Sequence, residues 1–175
     1  MKVLLLGGGA REHAIGEALV KGGAELFVIA GNDNPGLRSL GNLEKHSEQD
    51  SDFVISWAKK HGIDLAVIGL EDPLKVGLPD ALGDAGIPTV GPSADAARLE
   101  TSKLFARDLM RRHQIDGLIE YRYFTAADEL EAFLLAAGDK PYAVKPVGLT
   151  AGRGVRVMGV QLDSVTKLSH TGRRS

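Results

Sequence analysis

The sequence contains no cysteine, only one tryptophan, and an aromatic share of 5%. Without cysteine the protein has no disulfide, no thiolate metal site and no cysteine nucleophile. An excess of charge is also missing, because 21 Lys and Arg residues stand against 23 Asp and Glu residues, for a net charge of −2. No overall basic field is therefore available to gather nucleic acid or an anionic membrane.

Long apolar runs are missing as well. The apolar run Val3–Leu6 is too short for a signal sequence or a membrane span. The 175 residues are nevertheless 43% apolar and 25% charged, which is the globular range and suits one domain, or one domain plus part of a second. We therefore expect a cytoplasmic globular protein without nucleic-acid or membrane partners.

The first half of the chain alternates apolar strands with helical stretches. Strands are predicted at Lys2–Leu6, Leu26–Ala30, Asp64–Gly69 and Ile87–Val90, and helices at Ala10–Lys21, Ser51–His61 and Pro73–Asp84. The apolar stripe of the first helix is predicted to be Ala14, Ile15, Ala18 and Leu19. Such alternation with short links implies right-handed crossovers and a parallel sheet. The sequence therefore predicts an α/β fold with a Rossmann-like sheet in residues 1–92.

After Gly91-Pro92-Ser93 the pattern changes, and we expect a second domain over residues 93–175. It is predicted to contain helices over Ala94–His113, interrupted near Thr101-Ser102, and over Thr125–Ala137 with Thr125 as the cap, and strands at Ile119–Phe124, Tyr142–Pro146 and Val155–Met158. The last residues, 168–175, are polar and carry no core pattern. We therefore expect the chain to be a truncated form of a longer protein.

The first glycine-rich loop, GGGAREHA (Gly7–Ala14), follows a buried strand and opens a helix. Backbone N–H groups at such a helix start favour an anion, and Arg11 can bind a phosphate through two nitrogens. As a dinucleotide fingerprint the loop is imperfect, because Glu12 stands at the third glycine position and no acidic residue ends the second strand. A plain strand-to-helix turn without a ligand remains the alternative.

Two further polar loops follow the second and third strands. They are GNDNPG (Gly31–Gly36), with Asn34, and GLEDP (Gly69–Pro73), with Glu71 and Asp72. Ligands of open parallel sheets bind outside the carboxyl ends of the strands, where these loops converge. Each loop alone is also plain turn chemistry, but the three together favour a small-molecule site.

The second domain has its own glycine-rich segment, KPVGLTAGRGV (Lys145–Val155), in which Lys145 lies at the end of a predicted strand and a glycine-rich loop follows. A flexible glycine loop beside a lysine is a device for binding nucleotide phosphates, although it is no Walker A loop. A glycine-rich β-hairpin is the structural alternative. Lys103, at the start of a helix, is either another phosphate contact or an exposed first-turn lysine.

Five segments together resemble the N-terminal portion of the glycinamide ribonucleotide synthetase (phosphoribosylamine–glycine ligase) family, ATP-grasp enzymes of purine synthesis. They are KVLLLGGGAREHAI (Lys2–Ile15), GNDNPG, GLEDPL (Gly69–Leu74), GPSADAARLETSKLFARDLM (Gly91–Met110) and AVKPVGLTAGRGVRVMG (Ala143–Gly159). The resemblance covers most of residues 1–162. It implies a pre-ATP-grasp domain followed by an incomplete ATP-grasp small lobe.

The resemblance also implies a reaction and its site residues. ATP would phosphorylate the glycine carboxylate, and the amine of 5-phosphoribosylamine would attack the acyl phosphate, giving glycinamide ribonucleotide, ADP and phosphate. Matching positions suggest that phosphoribosylamine is bound by Gly9, Arg11, Asn34, Pro35, Gly36, Glu71 and Asp72. They suggest that ATP is bound by Lys103, Lys145, Gly148, Gly152, Arg153 and Gly154. Family members use Mg²⁺ or Mn²⁺, and we expect the metal ligands and most catalytic residues to lie beyond residue 175.

The chain departs from the family pattern in the glycine loop, where Val147, Thr150 and Arg153 differ from the residues that the family often has. We expect a monomer for the full enzyme, self-association for this chain if partner surface is exposed, and little or no ligase activity from the chain alone. The alternative is a non-catalytic Rossmann-like module that binds a phosphoribosyl ligand. An NAD-dependent dehydrogenase is disfavoured by Glu12 and the missing ribose acid.

Overall fold

The computed structural model describes residues 1–138, 140–148 and 154–160, and it forms two compact units, one of residues 1–101 and one that begins at Ser102. The domain boundary after residue 92 stays a prediction. The elements of the first unit are, in chain order, β1 (Lys2–Leu6), α1 (Ala10–Lys21), β2 (Glu25–Ala30), α2 (Pro35–Leu40), β3 (Asn42–Lys45), α3 (Ser51–His61), β4 (Leu65–Ile68), α4 (Glu71–Lys75), α5 (Leu78–Asp84), β5 (Thr89–Val90) and α6 (Ala94–Thr101).

The five strands of the first unit form one parallel sheet in the order β3-β2-β1-β4-β5. β2 and β3 are therefore added in turn on one side of β1, and β4 and β5 are then added on the other side. This is the strand order of a doubly wound Rossmann sheet. The predicted α/β fold with a Rossmann-like parallel sheet is confirmed.

Both faces of this sheet are covered, which is why its central strands are almost wholly apolar. One core cluster joins Leu4 and Leu6 of β1 to Val54 and Trp57 of α3 and to Leu82 of α5. The other joins alternate residues of the same strands to α1 and α2. The alternation along each strand thus separates α1 and α2 on one face from α3 and α5 on the other.

The apolar stripe predicted for α1 is partly wrong. Ala14 and Ala18 are exposed, whereas Ile15 and Leu19 pack against the core as predicted. The buried positions of this helix are Glu12 and Gly16, and a Cβ added at Gly16 would lie 2.9 Å from Cδ2 of Leu37 and 3.2 Å from Cδ2 of Leu26. The helix therefore lies against the core along the line of Glu12, Ile15, Gly16 and Leu19.

Helix α2 and strand β3 were not predicted from the sequence. Asn34 begins α2 by accepting the backbone N–H groups of Gly36 and Leu37, and Pro35 stands at the first helical position, where its missing N–H costs nothing. The turn signal at these residues is therefore also a helix start. Strand β3 is short and has a single buried residue, Leu43, so it carries almost no apolar pattern.

The single helix predicted over Pro73–Asp84 is wrong, because the structure has two helices there. Gly77 adopts a left-handed conformation with φ of +75° between α4 and α5. A residue in this conformation cannot continue a right-handed helix, and glycine adopts it without strain. The break lets α4 follow directly on the loop after β4.

The second unit contains α7 (Lys103–Arg112), α8 (Ala127–Ala137), β6 (Ala143–Val144) and β7 (Arg156–Val157) within its described residues. The break predicted near Thr101-Ser102 is confirmed, and Ser102 caps α7 by accepting the N–H of Phe105. β6 and β7 pair antiparallel. In the part of the chain that the structure describes, no helix is long and apolar enough to cross a membrane.

Two predictions for the second unit are wrong. Residues 119–124 form no strand; Ile119 is 59% exposed, and Tyr121 pairs through its hydroxyl with Asp108 of α7 instead of packing in a sheet. Thr125 is not the cap of α8, because the capping position is Ala126, which offers no side-chain oxygen.

Candidate functional site

The candidate site lies at the carboxyl end of β1, at the point where the strand order reverses between β1 and β4. The loops after β1, β2 and β4 all leave this edge of the sheet, because the strands are parallel and in close register. In doubly wound sheets, ligands bind in the crevice at this switch point. The side chains that link these loops therefore define the site.

Arg11, in the first turn of α1, links the loop after β1 to the loop after β4. Its Nη1 donates to the carbonyl oxygen of Gly69 at 2.8 Å, and its Nη2 donates to Oε1 of Glu71 at 3.1 Å. The pKa of Glu71 lies below its ordinary value, chiefly because its carboxylate accepts its own backbone N–H and also because it pairs with Arg11. The Arg11 side chain remains 62% exposed, so an anionic ligand can reach its guanidinium.

Asn34 links the loop after β2 to the loop after β1. Its Oδ1 caps α2, while its Nδ2 donates to the carbonyl oxygen of Gly8 at 3.1 Å. Asn32 donates to the same carbonyl at 3.0 Å. Gly36 lies against the ring of His13, and a side chain at position 36 would overlap that ring. Thus Asn34, Pro35 and Gly36 form the start of α2 beside the first glycine loop.

Gly9, the last glycine of the first loop, is the residue immediately before α1. Its backbone N–H donates to Oε2 of Glu12 at 2.8 Å. Glu12 is only 5% exposed and is the one charged residue of the described chain that is buried. Sequence reasoning treated Glu12 as a flaw in a dinucleotide motif; an acid three residues after a helix cap was the signal that it closes the loop.

The structure thus brings Gly9, Arg11, Glu71 and Asn34 together at one edge of the first unit. Asp72 is exposed at the second residue of α4, next to Glu71 in the chain. In the described part of the chain no group of three or more His, Asp or Glu residues can hold a metal ion. The site therefore offers an exposed guanidinium and polar side chains rather than a set of metal ligands.

In the second unit, Lys103 begins α7 and contacts the loop after β6. Its Nζ donates to the carbonyl oxygen of Gly148 at 2.7 Å, and its backbone N–H donates to the carbonyl oxygen of Val147 at 3.3 Å. Lys145 directly follows β6 and is exposed. Gly154 has a φ of +77° and lies against Pro146. Gly152 and Arg153 lie outside the described residues.

A cleft of about 460 Å³ in the second unit was missed by sequence reasoning. It is lined by Leu104, Asp108, Arg111, Tyr121, Arg122, Tyr123 and Phe124. Asp108 is its hydrogen-bonding centre, since it accepts from Tyr121 and, at 2.6 Å, from Nη2 of Arg111. Its hydrogen bond with Asp108 raises the pKa of Tyr121. The lining residues come from two separate stretches of the sequence, so no single motif predicts the cleft.

Comparisons with known proteins agree along the chain. Residues 1–100 match the family description "Phosphoribosylglycinamide synthetase, N domain", and residues 101–171 match "Phosphoribosylglycinamide synthetase, ATP-grasp (A) domain". The chain is 52% identical over 163 residues to a phosphoribosylamine–glycine ligase of Pyrococcus horikoshii, and 46% identical over 167 residues to one of Methanococcus maripaludis. Each match covers 93% of this chain but only 37% and 38% of the relative.

Solved structures show the same likeness. The crystal structure of a phosphoribosylamine–glycine ligase from Thermotoga maritima aligns with a TM-score of 0.69 at 26% identity, over 98% of this chain and 38% of that one. An ADP complex of N5-carboxyaminoimidazole ribonucleotide synthetase aligns with a TM-score of 0.76 at 15% identity, over 97% and 44%, which shows a shared fold alone. With its two domain matches in family order, the chain belongs to the phosphoribosylglycinamide synthetase family.

Proposed function

We propose that this chain carries the phosphoribosyl-substrate site and part of the ATP site of a phosphoribosylamine–glycine ligase of purine biosynthesis. The oxygen of the glycine carboxylate attacks the γ-phosphorus of ATP and releases ADP. The amine nitrogen of 5-phosphoribosylamine then attacks the carbonyl carbon, loses a proton and displaces phosphate. The name of the relatives at 52% and 46% identity supports this reaction. We also propose that the protein acts on small molecules in the cytoplasm.

The observation that carries the proposal is the position of Arg11 at the switch point. A guanidinium binds a phosphate through two parallel hydrogen bonds. Arg11 is held there by Gly69 and Glu71, so its orientation is set before a ligand arrives. In this proposal Arg11 binds the substrate phosphate beside Gly9, whereas Glu71, Asp72 and the segment Asn34–Gly36 bind the ribosyl hydroxyls and the amine.

On the ATP side we propose Lys103, Lys145 and the glycine loop from Gly148 to Gly154, including Gly152 and Arg153. Lys103 already contacts the backbone of this loop, so a phosphate that binds its ammonium group also draws on the loop. A covering loop protects an acyl phosphate from water. The described residues do not fit a divalent metal, so none of them is assigned to Mg²⁺ or Mn²⁺.

Calorimetric titration tests the two sites separately. Ribose 5-phosphate should bind the wild-type chain, and Arg11→Ala should weaken this binding at least tenfold, because one charge-assisted phosphate contact is worth on the order of 1.5–3 kcal/mol. The matched control is Arg38→Ala, which removes a similarly exposed arginine paired with Asp33. Equal binding by both variants would remove Arg11 from the site.

The ATP site is tested in the same way with Lys145→Ala and, as the control, Lys140→Ala. We expect the first variant to weaken ATP binding and the second to leave it unchanged. Phosphate release in the presence of phosphoribosylamine, glycine and ATP should be absent for the 175-residue chain, since the chain spans 37% of the length of its curated relatives. Measured turnover by this chain would contradict that expectation.

A second candidate is a non-catalytic module that binds a phosphoribosyl ligand. It is favoured by the first unit, which has a complete five-stranded sheet with a core cluster on each face. Such a module should bind ribose 5-phosphate and show no ATP binding. Heat release on titration with ATP, abolished in Lys145→Ala, would exclude it.

A further inference from the structure

Glu12 is a buried acid that the proposed function does not use. Its side chain is only 6% exposed and lies in the first turn of α1. Oε2 accepts the Gly9 N–H at 2.8 Å, and Nε of Arg11 lies 3.9 Å from Oε1. A buried carboxylate is costly unless such donors compensate it, so its position in this loop requires an explanation.

Three glycines from two strand ends surround this side chain. A Cβ atom at Gly7 would lie 2.8 Å from Cγ of Glu12, one at Gly9 would lie 2.7 Å from Oε2, and one at Gly69 would lie closest to Oε1. Because real Cβ atoms do not approach other atoms this closely, a side chain at any of these positions would push the Glu12 carboxylate out of its present place. The loops after β1 and β4 are therefore shaped around the Glu12 carboxylate.

The charge of Glu12 matches the place it occupies. The start of a helix carries partial positive charge and unpaired N–H groups, which favour an anion. In dinucleotide-binding sheets a ligand's pyrophosphate lies at this turn, and the third glycine of the motif lets the helix pack closely. Here the third glycine is replaced by Glu12, and the anion at the turn is a side chain.

We propose that Glu12 is a positioning residue that supplies, from within the chain, the anion that this strand-to-helix loop would otherwise take from a ligand. Its carboxylate accepts the Gly9 N–H after β1 and packs against Gly69 after β4. The Gly9 N–H is consequently withheld from the ligand, and a ligand phosphate is directed to Arg11. This last step rests on the proposed function; the first does not.

Replacement of the anion from solution tests the proposal. Glu12→Ala removes the carboxylate and one methylene, which acetate replaces atom for atom. We expect this variant to unfold about 5 °C below the wild type, for a lost charge-assisted hydrogen bond. Acetate at constant ionic strength should raise its unfolding temperature by several degrees, because a ligand that binds only the folded state stabilises it. Acetamide, which has the shape without the charge, should not.

The controls are the wild type and Glu17→Ala, an exposed acid on the same helix. Neither should respond to acetate more than to acetamide. If Glu12→Ala is as stable as the wild type, or responds to acetate no more than Glu17→Ala does, the proposal is overturned. Lack of ribose 5-phosphate binding by the wild type would contradict the proposed function and leave this result untouched.

A second variant covers the case in which Glu12→Ala does not fold. Glu12→Gln keeps the shape and can still accept the Gly9 N–H, but only as a neutral acceptor. We expect hydrogen exchange at the Gly9 amide to become about tenfold faster in Glu12→Gln, since a neutral acceptor forms a weaker bond than a charged one. Unchanged exchange at Gly9 would show that the charge has no role there and would overturn the proposal.

Discussion

Gly41 lies where α2 turns back into β3, and replacing it by alanine should strongly destabilise the first unit. Its φ of −171° is accessible to any residue, so conformation is no obstacle. Space is the obstacle: an added Cβ would lie 2.8 Å from the carbonyl carbon of Leu26 and 2.9 Å from its Cβ, and closer still to its carbonyl oxygen. Leu26 belongs to β2 and is buried, so neither backbone can move aside freely.

Overpacking of a tight site costs about 1–3 kcal/mol, and a clash between two backbone segments belongs at the upper end. We therefore expect Gly41→Ala to lose about 3 kcal/mol of unfolding free energy. For a chain of this length that loss corresponds to a fall of about 6–12 °C in the unfolding temperature. With a urea dependence of about 2 kcal/mol/M it lowers the midpoint by about 1.5 M.

The assay is urea unfolding followed by fluorescence of Trp57, the single tryptophan, which lies in the core beside Phe27. The matched control is Gly83→Ala in α5, where an added Cβ meets nothing within 4 Å. This exposed helical glycine should gain about 0.5 kcal/mol, because alanine loses less entropy in a helix. The reasoning would be refuted if both variants moved the midpoint in the same direction.

Three further predictions concern single side chains. Asn34→Ala should cost about 2 kcal/mol by thermal unfolding, one part for the cap and one for the bond to the Gly8 carbonyl, while Asn34→Asp, which keeps the cap, should cost about half of that. Because the pKa of Glu71 is lowered by folding, its contribution to stability is complete above its ordinary pKa of 4.5 and is lost as the pH falls below it. The unfolding temperature measured between pH 6 and pH 3 should therefore fall less steeply for Glu71→Gln, and Arg11→Ala should reproduce only part of this change, since the backbone N–H is the larger cause. Ser102→Ala should remove about 1 kcal/mol from the start of α7 and speed hydrogen exchange at Phe105; unchanged exchange there would show that the 3.3 Å cap contributes nothing.

The parallel sheet was predictable because its inner strands have apolar side chains on both faces. The run Lys2–Leu6 and the helix Ala10–Lys21 were predicted with the bounds that the structure has. Strand β3 was not predictable, because an edge strand with one buried residue lacks that pattern. The break at Gly77 was also missed, because the apolar residues on both sides of it keep helical spacing in the sequence even though the backbone is left-handed at Gly77.

The candidate site could be placed at an edge of the sheet, but its internal contacts could not be predicted. Loops after parallel strands must share one edge, so Arg11, Asn34 and Glu71 were expected near each other. That Arg11 would bond to the Gly69 carbonyl depends on the register of β1 and β4, which a single sequence does not encode visibly. The same holds for Glu12, whose neighbours include Gly69, which is far along the chain from Gly7 and Gly9.

Asn34 anchors two backbone segments with one side-chain amide, because it binds two N–H groups of α2 and a carbonyl of the loop after β1. A ligand that immobilises the start of α2 would consequently restrict the first loop as well. Ordering the start of α2 would then also order the loop after β1. A second ligand contact with that loop would therefore cost less conformational entropy than the first contact with α2. Binding at this edge should then be cooperative between its two sides even without any movement of the sheet beneath.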